Sequence, residues 1–492
     1  MLAATLGTHP KSLGARRIAD CRLRIDDWKT RVGKPHGAFN SPSTIVNLQS
    51  AILLVPGVPG RASTSEDQDP AEPAASQPSP QLLPLPAGAV ARAAIDEKSM
   101  RATIEELVSC GTRNSLSSWD GPRRGIGCGR DKIVARFNAI AKASGGRLEV
   151  VVDKFQATAP RTNNQPVPLE NVYAILPGTD PKLARTVVVV SGHFDSMPTN
   201  VMDPQSDAPG ADDDASGVAV SLECARLLGP GSTRATLVFA AVAGEEQGLL
   251  GGKRLLEYLQ QKGYSIGAML DNDIVGADFA AGAPHRVRLF SANGKDEDAD
   301  SPSRELARAV EEIDGRDAIR LIFRLDRYGR GGDHIPFVDA SLPAVRFTEP
   351  LEDYHHEHQT PRVENGVEYG DLLKFLNFDF LGNVARANAE ALRQLALAPA
   401  APEEVALSGA VTPDAKVAWT ASDDSERAGF EVLWRETTEP RWSVYDFASG
   451  PGETVLKGVS TDNHFFAVRS VGKNGARSIA VAAVPKRRAA PR

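Results

Sequence analysis

The segment His193-Phe194-Asp195 offers an imidazole and a carboxylate two residues apart. The stretch PGADDDASG at 209–217 adds three successive aspartates, and GEEQG at 244–248 adds a glutamate pair. Imidazole and hard oxygen donors together suit zinc. Two adjacent glutamates, Glu245 and Glu246, can divide the work of a metal-dependent hydrolase, one holding metal and the other moving protons. Asp195 stands where it can take the free ring N–H of a ligating His193 and so fix its tautomer. Taken alone, a His-x-Asp is more often a turn after a strand. Three aspartates in a row repel one another unless a cation is present. Asp214 is placed to cap a helix beginning near Ser216, which leaves a neighbour free to be shared between two ions. Asp273, in LDNDIVG, stands between apolar residues, where a buried carboxylate needs a partner. Tyr354-His355-His356-Glu357-His358 packs three histidines into four residues of a chain that has nine in all. The plainer reading of that run is surface histidine. Asp333-His334, in GGDHIPF, reads as a loop-orienting pair rather than as ligands.

These residues need elements to bring them together. The apolar, β-branched run TVVVVS at 186–191 has the character of a buried strand. ATLVFAAVA at 235–243 is a second, and 268–275 holds a third. Helices are expected at 99–109, 131–143, 217–228, 251–262 and 373–397 from their 3.6-residue periodicity. Further strands are expected at 148–155, 171–176, 287–291 and 344–348. Strands alternating with helices imply an α/β domain around a largely parallel sheet. In such sheets ligands gather at the carboxyl ends of strands. His193, Glu245, Glu246 and Asp273 all fall at or just beyond a strand end. Past the hinge Pro399-Ala400-Ala401-Pro402, short alternating segments at 405–407, 416–419, 429–435, 442–446, 464–471 and 478–484 read as a small β-sandwich.

The 492 residues suffice for two or three domains with real cores, and 41% are hydrophobic. A net charge of -7 argues against a nucleic-acid binder, which shows a basic face. The one basic run, 486–488, reads as a solvated tail. No run approaches the roughly 20 apolar residues of a membrane span. No Cys-x-x-Cys pair occurs, so cysteine zinc sites are not expected. Cys110 and Cys128 are either a disulfide closing a short loop, which would fit an exported protein, or two buried thiols. Cys224 reads as core. Residues 1–95 are expected to be a leader and a Pro/Ala-rich linker, with composition shifting at 63–94. The apolar run 51–55 is short, ends at Pro56 and lies far from Met1, so no signal peptide is expected at Met1. The first 45 residues look unlike a folded domain, which suggests that the natural start lies elsewhere.

In the order and content of these motifs, the chain resembles the co-catalytic zinc aminopeptidases of metallopeptidase family twenty-eight. The matching segments are GHFDS at 192–196, PGADDDASG at 209–217, GEEQGLLGG at 244–252, NDIVG at 272–276, GGDH at 331–334 and the late histidine cluster. The resemblance spans 97–398, within a domain expected at 96–398. It implies a three-layer α/β/α fold with a mixed, mostly parallel central sheet of the zinc-exopeptidase kind, and two zinc ions sharing one aspartate. Carried over by position, His193 and Asp273 would serve one zinc and Glu246 the other. Asp213 would bridge them, Glu245 would be the general base and Asp195 would support His193. The family's closing histidine precedes an aspartate by four residues, a pattern absent here. His356 is the first choice, His358 the second and His355 the third. Tyr328 lies one register from the family's tyrosine that assists the tetrahedral intermediate. The segments AWTAS, GFEVLWRET and FFAVRSVGKNG make 402–485 resemble a fibronectin type III module. The resemblance implies a zinc-dependent exopeptidase, foremost an aminopeptidase, acting on peptides through a water shared by the ions; a Cys110–Cys128 disulfide would fit an exported (periplasmic or extracellular) protein. It also permits a single-zinc glutaminyl cyclase-like enzyme, or a receptor-like binding ectodomain that has lost catalysis. Metal content separates the first rival and ligand loss the second.

Overall fold

The computed structural model describes residues 89–279, 285–294 and 299–485. The leader, the linker up to 88, the 51–55 run, Cys21 and the basic run at 486–488 lie outside the described residues. Eight strands form the central sheet: β1 (Glu149–Ala157), β2 (Val167–Leu176), β3 (Thr186–His193), β4 (Thr236–Val242), β5 (Ser265–Asn272), β6 (Val287–Phe290), β7 (Ile319–Ile322) and β8 (Ala344–Thr348). Their order is β1-β2-β4-β3-β5-β8-β6-β7. The central strands β4, β3, β5 and β8 run parallel, while β2 and β6 pair antiparallel at the flanks.

Helices α1 (Glu97–Val108), α2 (Ile126–Ala143), α3 (Ala215–Leu228), α4 (Leu250–Gln261), α5 (Pro302–Asp314), α6 (Ile335–Asp339) and α7 (Phe378–Leu397) cover both faces. The pleat of β3 shows how. Val188 and Val190 belong to the core that gathers residues of α1, α2, α3, α5 and α7, whereas Val187 and Val189 belong to a second core with residues of α4 and α6. An all-apolar strand feeds two cores because successive side chains point to opposite faces. The result is the expected three-layer α/β/α fold.

The differences from the sequence reading have local causes. The third strand ends at Asn272, not 275, because buried Ile274 takes φ +59. That conformation ends a ladder for a β-branched residue. It is held there by Glu349 N and Thr348 Oγ1, which donate to Ile274 O at 2.8 and 3.1 Å. The long C-terminal helix starts at Phe378, where Asn377 accepts from Phe380 N, and 373–375 is a separate 3₁₀ turn. Helix α5 is opened by Ser301, whose side chain accepts from Arg304 N, and by Pro302, a start signal outside the expected elements, whereas β7 and α6 are too short to show a period.

A hairpin of β9 (Arg362–Glu364) and β10 (Val367–Tyr369) precedes α7. Beyond α7 come β11 (Glu403–Ser408), β12 (Ala415–Thr420), β13 (Arg427–Glu436), β14 (Ser443–Ala448), β15 (Gly452–Leu456), β16 (His464–Gly472), β17 (Val481–Ala482) and β18 (Val484–Pro485). They form two four-stranded sheets, β15-β12-β11-β18 and β14-β13-β16-β17. Val405, Val417 and Trp419 of one meet Phe430, Val432, Phe466 and Val468 of the other. Arg441 on Glu311 and Trp442 Nε1 on Glu305 tie these sheets to α5. Cys110 and Cys128 form a disulfide, and Cys224 is a buried free thiol.

Candidate metal centre

Parallel neighbours β4, β3, β5 and β8 end on one edge of the sheet, and that edge carries the acidic loops. His193 is the last residue of β3, in register with Val242 at the end of β4. Glu245 and Glu246 follow β4, and the left-handed turn at Ile274 throws Asp273 out of the end of β5. Asp214 caps α3, accepting from Gly217 N at 2.7 Å and from His193 N at 2.9 Å. This leaves Asp213 facing the cluster; the Asp213–Asp214 peptide is cis.

Two groups of three donors result, His193–Asp213–Asp273 and Asp213–Glu246–His358, each compact enough for a metal ion. His193 Nε2 lies 3.0 Å from Asp213 Oδ1 and 3.7 Å from Asp273 Oδ1. His358 Nε2 lies 2.8 Å from Asp213 Oδ2 and 3.4 Å from Glu246 Oε1. Asp213 therefore turns one oxygen to each group. Asp195 belongs to neither group. Its carboxylate accepts from Glu245 N and Glu246 N at 3.3 and 3.2 Å and from Ser115 Oγ at 3.1 Å. Its Oδ1 is 3.5 Å from His193 Nδ1, and the nearer partner of that nitrogen is the Asp195 carbonyl at 3.1 Å. Asp195 thus braces both the imidazole and the glutamate loop. Glu245 also stands outside both groups, yet lines the same cavity of about 570 Å³ as Asp213, Glu246, Asp273 and His358.

His356 does not reach the cluster, which corrects the first choice among the late histidines. Its ring stacks on Phe375 at 3.6 Å between centroids, and its Nδ1 sits 3.6 Å from Asp353 Oδ2. His355 is turned to Asp353 Oδ1 at 2.8 Å. His358 reaches the site through a left-handed backbone, φ +52, a conformation uncommon outside glycine and found where function over-determines it. His358→Ala is therefore expected to lower zinc affinity by at least the 10–100-fold known for supporting residues, while His356→Ala retains it. Zinc titration of the two stripped variants reads the difference directly. Tyr328 does not line the cavity; it is 87% exposed beside Arg324. His334 is wholly buried, 2.8 Å from Leu325 O and 3.4 Å from Asp271, outside both donor groups.

Sequence reasoning missed the residues that hold the centre from behind. Buried Arg346, on β8, reaches Asp273 Oδ2 at 2.9 Å and Asp326 Oδ2 at 3.2 Å. Asp371 accepts the backbone N–H groups of Asp212 and Asp213 at 2.8 and 2.7 Å. Neither stands in a local pattern that marks it, since the partners lie about 70 and 160 residues away along the chain. Arg346→Met is expected to cost about 3–5 kcal/mol in the zinc-stripped protein, because two buried carboxylates lose their cation. Urea unfolding measures it, and a change below about 1 kcal/mol would show that the pair is dispensable.

The donor set fits zinc, with imidazole and carboxylate ligands in each group. Glu246 Oε1 is buried and makes no hydrogen bond among the described residues, an orphaned atom that a cation would satisfy. The charges agree. Burial, reinforced by the carboxylates of Glu246, Asp273 and Asp333, pushes Glu245 well above the usual carboxylate range. Burial works against a charge on His358, yet Glu246 and Asp213 drive its imidazole up to about 11. In the metal-free protein a proton on that imidazole supplies positive charge that a cation would otherwise bring.

Residues 171–369 match the family model described as Peptidase family M28. A protein of Pyrenophora tritici-repentis described as a probable zinc metalloprotease is 38% identical over 433 residues, covering 82% of this chain and 89% of its own. Among solved structures, the LapA aminopeptidase of Legionella pneumophila is 20% identical with a TM-score of 0.47, covering 63% of this chain and 73% of its own. A glutaminyl cyclase of Porphyromonas gingivalis is 17% identical with a TM-score of 0.45, covering 61% and 98%. The family match spans all the donors gathered at this sheet edge, and the fungal relative extends the likeness over most of the chain: the protein belongs to the zinc metallopeptidases of family M28.

Proposed function

We propose that this chain is a two-zinc aminopeptidase that releases N-terminal residues from peptides, with Glu245 as general base. The observation that carries the reading is Asp213, whose two oxygens serve two donor groups while Glu245 remains uncommitted beside both. His193 and Asp273 would hold one zinc, Glu246 and His358 the other, and Asp213 both. Bound zinc supplies Lewis-acid polarisation of the scissile carbonyl and of the attacking water. Glu245 takes a proton from that water as the new C–O bond forms. It returns the proton to the amide nitrogen as the C–N bond breaks and the amine leaves. Asp195 keeps this geometry by holding the Glu245 and Glu246 amides and facing the His193 ring.

The Cys110–Cys128 bond supports placement in an oxidising compartment, periplasmic or extracellular. The C-terminal pair of sheets is read as a fibronectin type III-like module that spaces or binds. A panel of aminoacyl-nitroanilides, assayed with chelator and with added zinc, tests the function alongside metal content. The expected result is chelator-sensitive release restored by zinc, at two ions per chain. Turnover indifferent to chelator would overturn the reading. So would one zinc per chain with cyclisation of N-terminal glutamine in place of release.

A further inference from the structure

The segment 111–127, closed at its base by the Cys110–Cys128 disulfide, packs against the two loops that carry His193 and Asp213. Cys110 lies just past the C-cap Ser109 of α1 and Cys128 lies in the first turn of α2, so the segment is anchored on two packed helices. Near its start, Arg113 is wholly buried. The guanidinium spends its donors on backbone carbonyls of both metal-bearing loops. Nε donates to Phe194 O at 2.7 Å, between His193 and Asp195, and Nη2 donates to Gly210 O at 2.7 Å. Nη1 donates to Pro209 O. The Arg113 main chain exchanges hydrogen bonds with Ser196, its N–H to Oγ at 3.1 Å and its C=O from Ser196 N at 3.3 Å. Two residues on, Ser115 Oγ donates to Asp195 Oδ2 at 3.1 Å. The site has been cut to fit this side chain. A Cβ on Gly129 would come within 2.9 Å of Arg113 Cδ, and one on Gly210, at φ +54, within 2.8 Å of Nη2.

We infer that Arg113 is a positioning residue for the metal centre, and that the disulfide-closed segment is a clamp that fixes the His193 and Asp213 loops before zinc arrives. The physical need is plain. His193 and Asp213 are 20 residues apart, and the carboxylates around them repel one another until a cation binds. A planar fork of donors fixes the relative place of three carbonyls, which a single ammonium does not. Preorganised ligands bind metal more tightly because less order is lost on binding. None of these contacts touches a substrate or a reacting atom, so the effect is on metal affinity first and on turnover through it.

This inference rests on the metal centre proposed above, and the test keeps the two apart. Zinc affinity is measured on metal-stripped protein by competition with a chelating indicator, and kcat and KM at saturating zinc. Arg113→Lys keeps the charge and loses the fork. It is expected to bind zinc about 10–100-fold more weakly, with kcat recovering toward wild type as zinc is raised. The double variant Cys110→Ser/Cys128→Ser, which unties the base, is expected to move the same way. An Arg113→Lys protein that melts lower but binds zinc within about twofold of wild type would make the residue merely structural and overturn the clamp. Should Arg113→Lys fail to fold, Ser115→Ala decides. It is expected to weaken zinc about fivefold, the worth of one hydrogen bond, and an unchanged affinity overturns the inference. A wild-type protein that takes up zinc tightly yet cleaves no aminoacyl-nitroanilide refutes the proposed function while leaving the clamp standing.

Discussion

Glu245→Gln is expected to keep its full zinc content and lose about 10²–10⁴-fold in kcat, the usual share of a general base. The argument is one of position. Glu245 follows β4 and lines the cavity, but neither donor group uses it, so removing its charge takes no ligand from either group. Glutamine has nearly the same shape, and the backbone N–H at 245 still donates to Asp195 Oδ1. What disappears is a carboxylate oxygen able to accept the water's proton and hand it to the departing amine. KM should change little, since the loss falls on the transition state rather than on ground-state binding. Glu246→Gln supplies the contrast: one residue along, the same change strips a ligand, and zinc content should fall with activity. Metal analysis beside kcat on aminoacyl-nitroanilides separates the two. Near-wild-type turnover by Glu245→Gln would end its assignment as base.

That pair of neighbours shows why so much of the site was legible in the sequence. Glu245 and Glu246 sit directly after an unbroken apolar strand, and a parallel strand's end is where a loop must face a ligand. The same reasoning brought His193 and Asp273 to one edge, and Asp214 revealed itself as a cap by its distance from the helix start. The late histidines resisted it. Three imidazoles in four residues differ only in backbone turn, and the left-handed φ of His358 leaves no mark in composition. His356, the first choice, is held away by Phe375, 19 residues later in the chain, on which its ring stacks. Arg113, Arg346 and Asp371 were invisible for the same reason: each acts on residues far off in sequence. The two-face packing of β3 could be read from its valines, whereas β7 and α6, at four and five residues, are too short for a period to show.

Asp213→Asn should do more damage to the metal centre than any other single change. Its Oδ1 stands 3.0 Å from His193 Nε2 and its Oδ2 2.8 Å from His358 Nε2, so each oxygen belongs to a different group. An amide keeps one oxygen and turns the other into an N–H₂ donor that cannot ligate a cation. One group then loses a ligand outright, and the other keeps a neutral, weaker one. Burial works to raise this carboxyl, yet hydrogen bonds from His193 and His358 hold it well below the usual carboxylate range, so the full negative charge is what the variant removes. Zinc affinity should fall at both sites, beyond the roughly 10–100-fold that supporting residues command. Stability follows by linkage. At 100 times its dissociation constant zinc adds about 2.7 kcal/mol to the wild-type protein, and the variant should lose most of that gain under the same conditions. Asp212→Asn is the control. Asp212 Oδ1 turns away to accept from Gly276 N at 2.6 Å, so its zinc content should hold. Two tightly bound ions in Asp213→Asn, counted after dialysis, would mean that no carboxylate is shared and that the two donor groups act apart.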